Sequence, residues 1–330
     1  MSEVVCFGEA MIRLMPPAFQ RLEQTGELDV KVGGGELNVA VGCARLGLKA
    51  AWVSRLTDNP LGRMIRNKAR EQGVDTSHIV WTKGDRVGLY FLEQGASPRA
   101  SNVIYDRAGS AISQIEPGMV DWQAVLEGAK LFHVSGITPA LSKTAAASTE
   151  EALKAARAAG CFVSYDLNFR SKLWTAKEAC ACQTPYMEMV DLLITTEDDA
   201  WVVFEETGEA PRIAESLKGR FSVQAVAITL RRIDTVLTGG WTSIIFADRL
   251  YEDVTYELEQ VDRVGGGDAF SAGCIYGWLT EGNWDAALRW GDAYSALKHT
   301  IPGDLNWAGR DETEKVMKSQ QEALKYKIQR

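Results

Sequence analysis

From Val4 onward, short unbroken apolar runs alternate with segments whose apolar residues recur every three or four positions. VVCFG (4–8) has the first pattern and predicts a buried strand. ELNVAVGCARLG (36–47) has the second and predicts an amphipathic helix closed by Gly47. KAAWVSRL is again strand-like, and LGRMIRNKAREQG, which follows DNP, is helical. The alternation continues through KLFHVS, SKTAAASTEEALKAARAAG and CFVSYDL, then through DLLITT, EDDAWVVFEET, PRIAESLKGRF and VQAVAITL. Strand, helix, strand at this spacing predicts right-handed crossovers and a parallel sheet with helices on both faces.

Two stretches break the rhythm. Residues 12–32 and 86–107 hold short alternating runs, such as RVGLYFLEQ and NVIYDR, with no helix between them. They predict antiparallel strands that leave the main sheet and form one small lid from two insertions. The core is then expected in residues 1–11, 33–85 and 108–330. Between about 231 and 261 three more alternating runs (RIDTVLTGG, WTSIIFAD, YEDVTYELE) predict an antiparallel edge. Helices over 268–280 and 285–299 would close the fold.

Charge and composition narrow the partners. A net charge of −8 and a pI near 5.2 argue against nucleic acid or an anionic membrane surface. No apolar stretch approaches the ~18 residues of a membrane span, and MSEVVCFGEAMIRL has no basic leader, so the expected compartment is the cytoplasm. Cys180 and Cys182 form a CxC without a second pair or a nearby His, which predicts free thiols and no zinc site. His78, His133 and His299 match no metal-ligand spacing.

The candidate chemistry lies in VGGGDAFSAG (264–273), where three glycines precede an aspartate at a predicted helix start. The bland reading is a loop ending in an Asp cap. Alternatively, open N–H groups at a helix N-terminus hold an anion. Bare backbone at Gly265, Gly266 and Gly267 lets phosphate oxygens approach, and Asp268 stands where it can take a proton from an attacking hydroxyl. The stretch lacks the GxxxxGK[ST] of a Walker A loop. A second cluster, VGGGELNVA (32–40), also precedes a helix, but a dinucleotide fingerprint would need glycine where Asn38 stands.

GGGELNVA, DNPLG (58–62) and VDRVGGGDAFSAG, in this order along essentially the whole chain, resemble the ribokinase-like (PfkB) carbohydrate kinases. FLEQGASPRASNVIYDRAGSAIS (91–113), FHVSGITPAL (132–141), SYDLNFRSKLW (164–174) and KHTIPGD (298–304) closely resemble the 2-keto-3-deoxygluconate kinases within that family. The resemblance implies a three-layer α/β/α core with a mostly parallel sheet plus a small β-sheet lid. It also implies ATP with Mg²⁺, a monovalent cation such as K⁺ near the anion hole, and a homodimer or dimer-based oligomer built through the lid.

By the same resemblance Asp268 is the base, and Gly265, Gly266 and Gly267 form the anion hole. Sugar-acid contacts fall on Gly34, Tyr90, Tyr105, Arg107, Arg170 and Asp304. Nucleotide contacts fall on Asn168, Arg170, Thr229, Arg231, Gly265 and Gly267. The residue types agree with an acidic substrate, because guanidinium groups such as Arg107 and Arg170 bind carboxylates in bidentate fashion. Arg13 adds a hint, standing near the end of the first strand where fructokinases and ribokinases of the family carry a hydroxyl-binding Asp.

One departure concerns metal handling. The family's NxxE motif is replaced by TTEDD, which puts Thr196 and Asp199 at its positions and leaves Asp199 an indirect metal role. The alternatives are another sugar kinase of the family (fructokinase, ribokinase or 2-ketogluconate kinase) and a non-catalytic sugar-acid sensor.

Overall fold

The computed structural model describes residues 1–328, so the last two residues of the expected core segment lie outside it. In chain order the first elements are β1 Val4–Phe7, β2 Met11–Met15, β3 Asp29–Gly33, α1 Gly35–Leu46, β4 Ala50–Val53, β5 Arg55–Thr57 and α2 Pro60–Glu71. Then come β6 Val80–Thr82, β7 Leu89–Glu93, β8 Asn102–Asp106, α3 Trp122–Val125, β9 Leu131–Ser135, α4 Ile137–Ala140, α5 Lys143–Ala158 and β10 Phe162–Asp166. They continue with α6 Ala176–Gln183, β11 Leu192–Thr195, α7 Glu197–Phe204, α8 Ala210–Phe221, β12 Ala225–Ile233 and β13 Thr238–Phe246. The last are β14 Leu250–Glu252, β15 Tyr256–Glu259, α9 Gly266–Glu281, α10 Trp284–His299 and α11 Arg310–Ile328.

The large sheet runs β14-β13-β12-β11-β10-β9-β1-β4, with β15 also paired to β13. From β4 to β12 all pairs are parallel, and β13, β14 and β15 form the antiparallel edge. The apolar run VVCF shows why the strands read as continuous hydrophobic stretches. Val5 and Phe7 enter the core shared with α3 and α5–α8, while Val4 and Cys6 enter the core shared with α1, α2, α9 and α10. A parallel strand covered by helices on both faces needs apolar residues at every position.

The smaller sheet has the order β3-β2-β7-β8. Its strands were expected to pair antiparallel throughout, but β2 and β7 run parallel. Each insertion leaves the core in the same direction, so their first strands point the same way and each supplies its own antiparallel neighbour, β3 or β8. Register divides the two faces of this sheet. Lys31, Arg13, Tyr90 and Tyr105 are successive partners across it, as are Val30, Leu14, Phe91 and Ile104. Directly paired residues share a face. The first row turns towards the core, where Arg13 and Tyr90 are buried; the second leaves Val30 and Ile104 exposed.

Candidate active site

A cavity of about 460 Å³ opens beyond the carboxyl ends of the parallel strands, between the two sheets. One end is lined by Gly34, Tyr90, Tyr105, Arg107 and Asp304. The other holds Asn168, Arg170, Thr196, Asp199, Thr229 and Arg231, and Gly265–Asp268 lie between. Residues more than two hundred positions apart thus meet where open α/β sheets bind ligands.

The three glycines of VGGGD have three different reasons. Gly265 takes φ 86°, a left-handed conformation that favours glycine, and a Cβ there would strike the Asp304 carbonyl. At Gly266 a Cβ would fall 2.5 Å from the His299 ring. Around Gly267 there is open space, so its missing side chain serves whatever enters the cavity. The helix begins two residues earlier than the sequence pattern predicts. Gly265 is the N-cap of α9, so Asp268 lies inside the first turn and is not the capping residue. The Gly266 N–H donates to the Arg263 carbonyl at 3.2 Å, leaving the N–H groups of Gly265 and Gly267 without a hydrogen-bond partner among the described residues.

Asp268 Oδ2 accepts a hydrogen bond from Asn38 Nδ2 at 2.7 Å. Asn38 in turn accepts from the Gly34 N–H, so one amide joins the two glycine clusters. Oδ1 faces Gly35, whose absent Cβ would stand 3.6 Å away. Burial pushes the Asp268 carboxyl up to about 6, against the opposing pull of Asn38, Arg170 and Lys298. Asp166, at the end of β10, is pushed well above the usual carboxylate range by burial and by neighbouring Asp268 and Asp199. Asn168 takes φ 40°, which asparagine tolerates, and donates to Asp166 at 3.2 Å. Burial holds Arg231 below its ordinary value, and nearby Arg263 and Arg170 add like-charge repulsion. Such a cluster of guanidinium groups suits a polyanion.

At the opposite end Arg107 is paired to Glu9, which also accepts from Ser110 Oγ at 2.6 Å. Its Nε is buried without a hydrogen-bond partner among the described residues. Tyr105 has the Arg107 guanidinium and the Lys172 ammonium each 5.5 Å from its ring centroid. Arg13 does not reach the cavity. It is fully buried in β2 and binds Asp262 at 2.6 Å and Asp304 at 2.9 Å, so its charge is spent on the protein's own carboxylates. Tyr90 donates to the other oxygen of Asp304.

In TTEDD the Thr196 hydroxyl caps α7 by accepting the Asp199 N–H at 3.0 Å, a preferred use of threonine at a helix start. Asp199 accepts the Phe169 N–H at 3.3 Å. Sequence reasoning missed Glu9, Asp166 and Arg263, and assigned Asn38 no role. Asn38 had a signal, its position four residues after Gly34 at the start of a helix. Glu9 had none, because its partner is 98 residues away.

Residues 1–306 match the family model described as pfkB family carbohydrate kinase. The chain belongs to the PfkB family of carbohydrate kinases. A 2-dehydro-3-deoxygalactonokinase of Haloferax volcanii is 40% identical, covering 96% of this chain and 97% of the relative. The crystal structure of the 2-dehydro-3-deoxygluconokinase of Thermotoga maritima superposes with a TM-score of 0.93 at 42% identity, over 96% of this chain and 98% of that one. A 2-dehydro-3-deoxygluconokinase of Bacillus subtilis is 28% identical over 92% and 91% of the two chains.

Proposed function

We propose that the chain is an ATP-dependent sugar-acid kinase that phosphorylates the terminal 6-hydroxyl of 2-keto-3-deoxygluconate. The observation that carries this reading is Asp268 set beside the free N–H groups of Gly265 and Gly267, with arginines at both ends of the same cavity. ATP lies with its phosphates towards Arg170, Arg231 and Arg263, near Asn168 and Thr229. The sugar acid lies towards Gly34, Tyr90, Tyr105 and Asp304, and its carboxylate meets the Arg107 guanidinium, with Arg170 assisting. Glu9 orients Arg107 for this contact.

In the reaction the 6-hydroxyl oxygen attacks the γ-phosphorus and its proton passes to Asp268 Oδ1. The bond from the γ-phosphorus to the bridging oxygen breaks and ADP leaves. The Gly265 and Gly267 N–H groups hold the charge that spreads over the phosphoryl oxygens, a term usually worth more than the base. Asn38 keeps Oδ2 occupied, so Oδ1 is the oxygen left for the proton.

Mg²⁺ fits this cavity as a companion of the phosphates. The carboxylates lining the cavity beside Asn168 and Thr196 are Asp166 and Asp199, and no group of three or more His, Cys, Asp or Glu among the described residues forms a cage of its own. That donor set suits an ion held largely by phosphate oxygens and water. When bound, it neutralises phosphate charge.

The galactonate epimer is a second reading, because the Haloferax relative is named for it. Coupled turnover with ATP tests both, using 2-keto-3-deoxygluconate, 2-keto-3-deoxygalactonate, 2-ketogluconate, fructose and ribose. The keto-deoxy acids should give the highest kcat/KM. A preference for fructose or ribose would overturn the substrate class, and tight sugar-acid binding without turnover would identify a sensor.

A further inference from the structure

Lys298 is a charged side chain that the mechanism above leaves unused. It sits near the end of α10, is wholly buried, and donates from Nζ to the carbonyl oxygens of Asp262 and Ile301, each at 3.1 Å. Taking an ammonium out of water costs several kcal/mol, so a position this closed is specified by what surrounds it. Those two carbonyls belong to the segments that converge under the glycine turn, one leading into Gly265 and the other into Asp304. The lysine stem lies directly below the turn, since a Cβ on Gly265 would stand 3.3 Å from Lys298 Cε.

The family resemblance implies a monovalent cation near this anion hole, and the residues present do not fit one here. A potassium ion in a protein replaces its water with carbonyl oxygens, and the two carbonyls beneath the turn already accept from an ammonium of the same charge. The electrostatics agree. Arg13 and Lys298 already set two positive charges against Asp262 and Asp304, and a further cation in the same space would meet their repulsion. Burial lowers Lys298 to about 8 while Asp262, Asp304 and Asp268 pull the other way, so the amine is protonated at neutral pH.

We propose that the Lys298 ammonium is a built-in monovalent cation: tethered to α10, it holds the carbonyls of Asp262 and Ile301, keeps the 262–267 turn in its phosphoryl-binding shape, and makes external potassium unnecessary. Lys298 is a positioning residue, since it acts on the reacting groups through the turn. Its effect on turnover rests on the kinase reading; its effect on cation binding does not.

The test compares the native protein and Lys298→Ala in choline chloride, potassium chloride and ammonium chloride at equal ionic strength. Melting temperature and ATP-dependent turnover are both read. The native protein should show the same melting temperature and turnover in all three salts. In choline the variant should melt lower and lose about ten- to a hundred-fold in kcat, the scale of a disturbed anion hole. Potassium or ammonium should then restore part of both losses, which a purely structural lysine would not allow. If the variant does not fold in choline, its refolding yield in potassium or ammonium against choline reads the same rescue.

Potassium activation of the native enzyme, or a potassium-specific rise in its melting temperature, would overturn the proposal. So would a variant whose defects neither cation repairs. Melting temperature and refolding need no substrate, so a protein that turns over no sugar acid still reports on the cation site, and then the kinase reading fails alone.

Discussion

At Asp268, burial raises the carboxyl to about 6 and the Asn38 amide works against it. A base must be ionised to act, so kcat/KM should rise with pH through about 6 and then level off. Asn38→Ala removes the donor that favours the ionised form, and this rising limb should move up by about one pH unit, the worth of ~1.5 kcal/mol. A limb that stays in place would separate Asn38 from the base. Asp268→Asn keeps the shape and loses the base, so kcat should fall by ~10²–10⁴ while ATP and sugar-acid affinities persist. Arg107→Ala tests the other end of the cavity. KM for the sugar acid should rise at least about ten-fold, ~1.4 kcal/mol, with KM for ATP little changed. The same substitution strands the Glu9 carboxylate, so a lower melting temperature should accompany it.

Between β15 and α9 the glycine turn separates packing from chemistry within one element. Gly266→Ala places a methyl 2.5 Å from the His299 ring, so stability should fall by about 1–3 kcal/mol in urea unfolding. Gly267→Ala meets nothing within 4 Å, so the fold should hold, while kcat should drop because the methyl fills space proposed for the phosphoryl group. Equal stability losses in the two variants would contradict this division. The smaller sheet is fastened at the same place. Arg13 in β2 grips Asp262 and Asp304 on either side of the turn, so the smaller sheet and the glycine turn share one buried ion cluster.

In the whole molecule the smaller sheet offers an outer row of Val30, Leu14, Phe91 and Ile104, with Val30 and Ile104 about half exposed. An apolar row on a small sheet is stabilised by burial against another surface. A second copy of the lid is the partner proposed, so the native protein should be a dimer or a dimer-based oligomer in light scattering. Ile104→Glu should shift it towards monomer with the core fold intact. A native monomer at micromolar concentration would contradict the pairing.

The periodicities of the chain determined most of the architecture. A strand buried on both faces must be apolar at every position, as in VVCF, and a one-sided helix must repeat every three or four, so the parallel core was legible. Residue type marked Asp268, the glycines and the arginines as candidate chemistry. What those side chains face was decided only by the tertiary structure. Arg13 reads as a substrate ligand until Asp262 and Asp304, 249 and 291 positions away, are found to hold it. Arg107 has the same form in the sequence, yet its pairing with Glu9 leaves it lining the cavity, where it is the proposed recognition group. Lys298 lies in a helix whose pattern is ordinary, and only the meeting of α10 with the 262–268 and 301–304 segments puts its ammonium under the glycine turn. Local patterns set which face of an element is apolar. Which charges end beside one another depends on chain segments distant in sequence, and no local pattern records it.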